Sequence, residues 1–392
     1  MLGQLHTPQV TALLAALFLS ACSPFGASPP RASHAPGRAA VSPSPSPTVL
    51  PACLRASAVP ATPTGVRSSV PAWVLASGLD QPDDLAFHDG VVYVGQLGSG
   101  RVAGVVPGSP PVQSTWTVPV AEGIGFIGST MFVASQGDDS VKVIVSDQPR
   151  TLLQLQPVAG KDNVDGIGVQ GDQLLVPDSP NGTLLWVDGS GRITRSVGGF
   201  NRPTGAWPLP DGSVLVADEY GNAAFRVAPD GSRTALVQNL PIVDDVAADP
   251  QGHVFVVTPV VSGGRLAELV DGRAVDLAGG LLEPQGLGFD GAANVLVAES
   301  AAGRLDLFIR SFKLVPLAQP PAAGQPVCLD LVRAPGFTGS VELNGPNGVE
   351  VIRQPGTTDQ GEVLLHPDLC QQRGCPVTAS SGDRTDTLWI TR

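Results

Sequence analysis

Six copies of one short pattern recur along the chain, and their spacing constrains the fold more than any other feature. The copies read Pro82-Asp83-Asp84-Leu85-Ala86-Phe87, Ala121-Glu122-Gly123-Ile124-Gly125-Phe126, Val164-Asp165-Gly166-Ile167-Gly168-Val169, Pro203-Thr204-Gly205-Ala206-Trp207, Val243-Asp244-Asp245-Val246-Ala247-Ala248 and Pro284-Gln285-Gly286-Leu287-Gly288-Phe289. Their second residues fall at positions 83, 122, 165, 204, 244 and 285, in steps of 39 to 43 residues. A period near 40 is the signature of a propeller or solenoid, built from one supersecondary unit per repeat.

Each copy runs through a turn into a second strand. Asp89-Gly90 leads to Val91-Val92-Tyr93-Val94, Asp211-Gly212 to Val214-Leu215-Val216, and Gln251-Gly252 to Val254-Phe255-Val256-Val257. Such pairs between apolar runs are strong hairpin signals, because Gly tolerates the positive φ of a tight turn. Third strands (Arg101–Val106, Arg304–Ile309) and fourth strands (Gln113–Val118, Thr234–Gln238) follow. Four short strands in each of six repeats predict an all-β chain with a six-bladed β-propeller over residues 70–313. The sixth repeat supplies only three strands. The missing outer strand is available at the front, Ala72-Trp73-Val74-Leu75-Ala76, and pairing the two ends would remove the open edges.

Composition narrows the partners. The net charge is −12, only 15% of residues are charged, and the lysines are Lys142, Lys161 and Lys313. A chain this acidic, with no basic run, carries no footprint for nucleic acid or for anionic lipid. A cation or a cationic partner suits it better.

Ahead of the propeller, Ala12 to Leu19 is a short apolar run followed by Ser20-Ala21-Cys22. Eight residues cannot span a bilayer, which needs about 20, so residues 1–22 are expected to be a signal peptide. Leu19-Ser20-Ala21-Cys22 resembles the lipobox of bacterial lipoproteins, which implies lipidation at Cys22 and anchoring to the outer face of the cell membrane. The n-region, with His6 and no Lys or Arg, departs from that pattern. Residues 23–69 shift to Pro, Ser and Ala around Ser42-Pro43-Ser44-Pro45-Ser46-Pro47, a composition that reads as an extended tether.

Beyond a Pro/Ala-rich linker at 314–326, residues 327–392 alternate apolar and polar positions, as in Val327-Cys328-Leu329-Asp330-Leu331 and Asp386-Thr387-Leu388-Trp389-Ile390. Short strands with Gly-Pro-Asn-Gly turns predict a small β-sandwich, similar in pattern to immunoglobulin-like modules of bacterial surface proteins. Cys53, Cys328, Cys370 and Cys375 are an even set in an exported chain and imply disulfides. One connectivity joins Cys328 to Cys370 or Cys375 and leaves the remaining partner for Cys53; the other pairs Cys370 with Cys375 and Cys53 with Cys328. Zinc is excluded by the spacing and the oxidising compartment.

First strands of propeller blades line the central channel, so the repeated second positions converge on one axis. They carry Asp83, Glu122, Asp165, Thr204, Asp244 and Gln285. Converging carboxylates repel unless a cation or shared protons neutralise them, and oxygen ligands of this kind suit Ca²⁺. The metal candidates are therefore Asp83, Glu122, Asp165 and Asp244, with Thr204, Gln285 and Trp207 as binding candidates at the channel mouth. A structural ring, in which these groups bond loop amides and Arg202 neutralises two carboxylates, is the plainer alternative. A second column at the ends of the second strands (Gln96, Ser135, Asp178, Asp218, Thr258, Glu299) reads as turn-capping. His88 and His253 sit beside hairpin turns and read as surface residues rather than catalytic ones.

Asn201-Arg202-Pro203-Thr204-Gly205-Ala206 and the later Val216-Ala217-Asp218 resemble NHL repeats. Glu122-Gly123-Ile124 and Asp165-Gly166-Ile167 are similar to the channel motifs of the gluconolactonase/senescence-marker-protein family. That resemblance implies a divalent metal held at the strand starts for lactone or ester hydrolysis. Asp or Thr stands where the family usually has Asn, and its Asn-Asp-Gly stretch is missing. Two functions follow: a monomeric, surface-displayed propeller that binds a small molecule, glycan or protein at its channel mouth, or a Ca²⁺-dependent lactone or ester hydrolase.

Overall fold

In the computed structural model each repeat folds as an antiparallel meander, with the innermost strand first in sequence. The structure describes residues 61–107, 110–260, 263–316, 327–345, 349–353, 360–365 and 375–390. The innermost strands are Pro82–His88, Ala121–Ile127, Gly168–Gln170, Pro203–Pro208, Asp245–Ala248 and Pro284–Phe289. Each contacts the next, and the sixth contacts the first, so the six sheets close into the ring of a β-propeller.

The closing strand is the one at the front of the chain. Ala72–Ser77 pairs antiparallel with Arg304–Phe308, setting Trp73 opposite Leu307, and becomes the outer strand of blade 6. Trp73 is buried there with Leu79, Leu305 and Leu307. A second staple was not expected from the sequence: Arg67–Ser68 adds a fifth strand to blade 5 by pairing with Gly279 and Ala278.

Four of the six innermost strands share an irregularity that matters for the channel. Their pairing with the second strands shifts register between Pro82 and Leu85, Ala121 and Ile124, Pro203 and Ala206, and Pro284 and Leu287. A bulge leaves residues out of the ladder and re-aims their side chains. Here those residues are Asp83-Asp84, Glu122-Gly123, Thr204-Gly205 and Gln285-Gly286.

Two further sheets follow the ring. One has the strand order Phe312–Pro316, Val327–Arg333, Gln360–Leu365, Val349–Arg353; the other joins Glu342–Asn344, Cys375–Ser381 and Arg384–Ile390. Phe312, Leu314, Leu331, Val377, Ala379 and Leu388 from both sheets share one apolar cluster with Ala292 of the blade 6 hairpin. Phe312–Pro316 therefore opens the C-terminal sheet rather than ending the propeller. Lys313 pins the junction, with its buried ammonium 2.5 Å from Asp386 and 3.2 Å from Asp290. Burial alone would pull that ammonium's pKa down, but the two carboxylates outweigh it and hold it above the ordinary lysine value. Cys22, Cys53 and Cys370 lie outside the described residues; Cys328 and Cys375 sit on described strands, their side chains outside the description.

Candidate functional site

The starts of the innermost strands bring the predicted ring together. Asp83, Glu122, Asp165, Thr204 and Asp244 are all buried where the innermost strands begin, and Gln285 is partly buried beside them. The acids feel one another strongly. Desolvation first, and then the charges of Asp165 and Asp83, raise the pKa of Glu122 and Asp244 well above the ordinary carboxyl range. Asp83 is raised well above it by desolvation and then by Asp165. Among the described residues no ion pair engages Asp83, Glu122 or Asp244.

Arg202 sets the fourth acid apart. Its guanidinium lies 2.6 Å from Asp165 Oδ2, also contacts Glu219, and has the Tyr220 ring 5.3 Å away. Asp165 still has a raised pKa, because desolvation outweighs the lowering by Arg202. The guanidinium thus serves one ring acid, Asp165, together with Glu219 and, at 3.6 Å, Asp162, rather than two carboxylates of the ring, and the other ring acids have no ion pair among the described residues. Their satisfaction is incomplete as well. Glu122 Oε1 takes the Gln136 amide, but Glu122 Oε2 and Gln285 Oε1 are buried acceptors with no donor among the described residues. Thr204 is occupied, donating its hydroxyl to the Asp244 carbonyl at 2.5 Å.

Two acids escaped the sequence reading. Asp84 and Asp245 are the residues after Asp83 and Asp244, at positions where the other four copies carry Gly. The glycines make room for them across the channel. A Cβ at Gly166 would overlap Asp84 Oδ2, and one at Gly205 would overlap Asp245 Oδ1. Asp245 accepts the backbone N–H groups of Val246 at 2.7 Å and Leu287 at 2.8 Å. Burial nevertheless pushes its pKa up to about 7. Desolvation and then Asp245 raise that of Asp84 well above its ordinary value. The alternation of Asp-Asp with x-Gly in the repeat was the available signal.

Trp207 is not at the ring. Three residues along its strand from Thr204, it lines the opposite end of the channel and meets Phe289 edge-on at 5.6 Å. His88 lies at that same end, stacked on Phe126 at 4.2 Å, and is half-buried rather than a free surface side chain. His253 pairs with Asp249 at a hairpin turn. The second column bonds the loops that enter the innermost strands: Asp218 accepts the N–H groups of Asn201 and Arg202, Glu299 that of Leu282, and Gln96 that of Asp80.

The donor set of the ring is all hard oxygen, which fits Ca²⁺ by chemistry. As the side chains stand, no three His, Cys, Asp or Glu among the described residues converge closely enough to enclose a metal ion. Binding one would have to draw the carboxyls together and displace their protons.

No protein-family model matches the chain, and no curated protein matches it in sequence. Solved structures match its fold. A gluconolactonase from Xanthomonas campestris superposes with a TM-score of 0.53 at 15% identity, covering 64% of this chain and 96% of that one. A calcium-binding protein, regucalcin from Agrobacterium tumefaciens, does so with a TM-score of 0.50 at 15% identity, covering 60% of this chain and 92% of that one. At this identity the likeness is one of fold: a propeller of the gluconolactonase type.

Proposed function

We propose that this is an exported protein, anchored to the outer face of a bacterial membrane through Cys22, whose propeller takes a divalent cation at the acidic end of its channel. That end would bind a small molecule, glycan or protein at the channel mouth. The observation that carries the reading is the unmatched ring. Among the described residues Asp83, Glu122 and Asp244 are buried without an ion-pair partner, feeling Arg202 only at a distance, and Glu122 Oε2 and Gln285 Oε1 are acceptors without a donor. A buried acceptor left without a partner costs about 1–3 kcal/mol, more when charged, and a cation removes that cost at several groups together. Asp83, Glu122, Asp244 and Gln285 would hold it, while Arg202 keeps Asp165 and Glu219 neutralised. When bound, the cation would supply positive charge for an oxygen-rich ligand. The match to a propeller described as calcium-binding supports the choice of Ca²⁺ as the first ion to try.

Lactone or ester hydrolysis is the second reading, favoured by the raised ring carboxyls. A carboxyl whose pKa is raised keeps its proton to higher pH than an ordinary one and can give it to a leaving oxygen.

The test is thermal unfolding and calorimetric titration of chelator-treated protein with Ca²⁺. At a hundredfold excess over its dissociation constant, bound Ca²⁺ should add about 2.7 kcal/mol of stability. Glu122→Gln together with Asp244→Asn should remove that gain. An unfolding curve indifferent to Ca²⁺ would end the cation reading and leave a structural ring. A Ca²⁺ response with no turnover on a lactone and ester panel leaves a binding protein; turnover lost with the same substitutions makes it a hydrolase.

Anchoring has its own check. Cys22→Ala should abolish incorporation of labelled fatty acid, and labelling at the parent level would overturn it.

A further inference from the structure

At the end of the channel away from the ring, the innermost strands enclose a cavity of about 330 Å³, within the size range of small-molecule sites. Its wall is apolar and aromatic, with Phe87, Phe126, Trp207 and Phe289 around it. Phe87 is 41% exposed, so the rim reaches solvent. Asp84 and Asp245 line the same cavity; its one basic side chain is His88, stacked on Phe126, and no Lys or Arg lines it. Asp84 is half-buried in the middle of a closed ring of strands, and the cavity is where its open side lies. Neither carboxyl takes part in an ion pair among the described residues.

We propose that this cavity binds an organic cation: a primary amine, protonated to its ammonium, carrying an aromatic or branched apolar group. A wholly apolar ligand would seal two carboxyls away from water without a partner, which is costly. An anion would find two carboxyls and no Lys or Arg to pair with. An ammonium gains charge-assisted hydrogen bonds to them, its charge is attracted to the faces of Trp207 and Phe289, and its apolar body fills the wall. Asp245 is fixed by the two backbone N–H groups it accepts. Asp84 also takes the Ile167 amide and, half-buried on the cavity wall, is the second carboxyl offered to the ammonium. The residues that line this cavity are not those proposed to hold a cation in the ring, so the two sites are tested separately.

The experiment is calorimetric titration of the full chain with phenethylamine hydrochloride, 2-phenylethanol and sodium phenylacetate, each in Ca²⁺ and in chelator. These probes share one apolar body and differ in charge. The amine should bind at least about tenfold more tightly than the alcohol, a difference worth about 1.4 kcal/mol, and phenylacetate should give no binding heat. Binding should quench tryptophan fluorescence in the parent and much less in Trp207→Leu. Asp84→Asn should bring the amine down to the level of the alcohol. Equal affinity for amine and alcohol, or no binding of the amine, overturns the proposal. Because the parent protein alone separates the probes, a variant that fails to fold leaves the test intact. Amine binding that persists when Ca²⁺ has no effect keeps this site and removes only the ring reading.

Discussion

A chain that begins at Gly78 should fail to form a stable propeller. It lacks Ala72–Ser77, and the Arg304–Phe308 edge of blade 6 is then left open. Trp73 leaves its cluster with Leu305 and Leu307, Ile309 loses the Pro71 carbonyl it bonds at 2.9 Å, and blade 5 loses its staple at Arg67–Ser68. Removing a buried Trp side chain alone costs about 3–5 kcal/mol, against a total stability of about 5–15 kcal/mol for a typical domain. A cut at the other end should be mild. Ending the chain at Arg310 removes the C-terminal sheets and the Lys313 junction, but leaves every strand of the ring paired. The cut belongs there, since Phe312 and Leu314 would otherwise expose a face meant for Leu331 and Leu388. Thermal unfolding followed by circular dichroism compares the two. Similar melting of both truncated chains would mean that the ring does not depend on its N-terminal strand.

The second large effect is one of pH. In Ca²⁺-free buffer the protein should be less stable at pH 7.5 than at pH 5, the reverse of ordinary acid sensitivity. Asp83, Asp84, Glu122 and Asp244 have pKa values raised well above the normal range, mainly by desolvation, and Asp245 is pushed up to about 7. Unfolded carboxyls titrate near 4. Between about pH 4 and the raised values the folded state therefore binds more protons than the unfolded chain, so stability falls as pH rises. Each such group contributes a slope of up to about 1.4 kcal/mol per pH unit across that window. For Asp245 the loss runs from about 4 to about 7, and Asp245→Asn should flatten the curve there. Saturating Ca²⁺ should weaken or reverse the trend, because it holds the ring acids in their ionised form. Stability that stays level or climbs from pH 5 to pH 7.5 in chelator would show that the channel carboxyls are already neutralised within the protein.

The sequence by itself determined the six-fold repeat, the hairpin turns, the strand that closes the ring and the residues at the ring positions. Each of these depends on local pattern: a 40-residue period, Gly after Asp at a turn, one missing strand at one end and one spare at the other. Even the Asp83 and Asp244 positions were legible, because equivalent places in a rotational repeat must meet on the axis. Tertiary structure decided what those residues do. Arg202 took Asp165 and Asp162 from the preceding blade and Glu219 from its own, a matter of reach that no spacing encodes. The bulges split adjacent acids between two ends of one channel, sending Asp83 to the ring and Asp84 to the cavity. Trp207, three residues from Thr204 in sequence, went to the far end because an innermost strand runs the length of the channel. Lys313 looked like the end of the propeller; only the fold brings Asp386, 73 residues later, within reach of its ammonium and moves it into the next sheet.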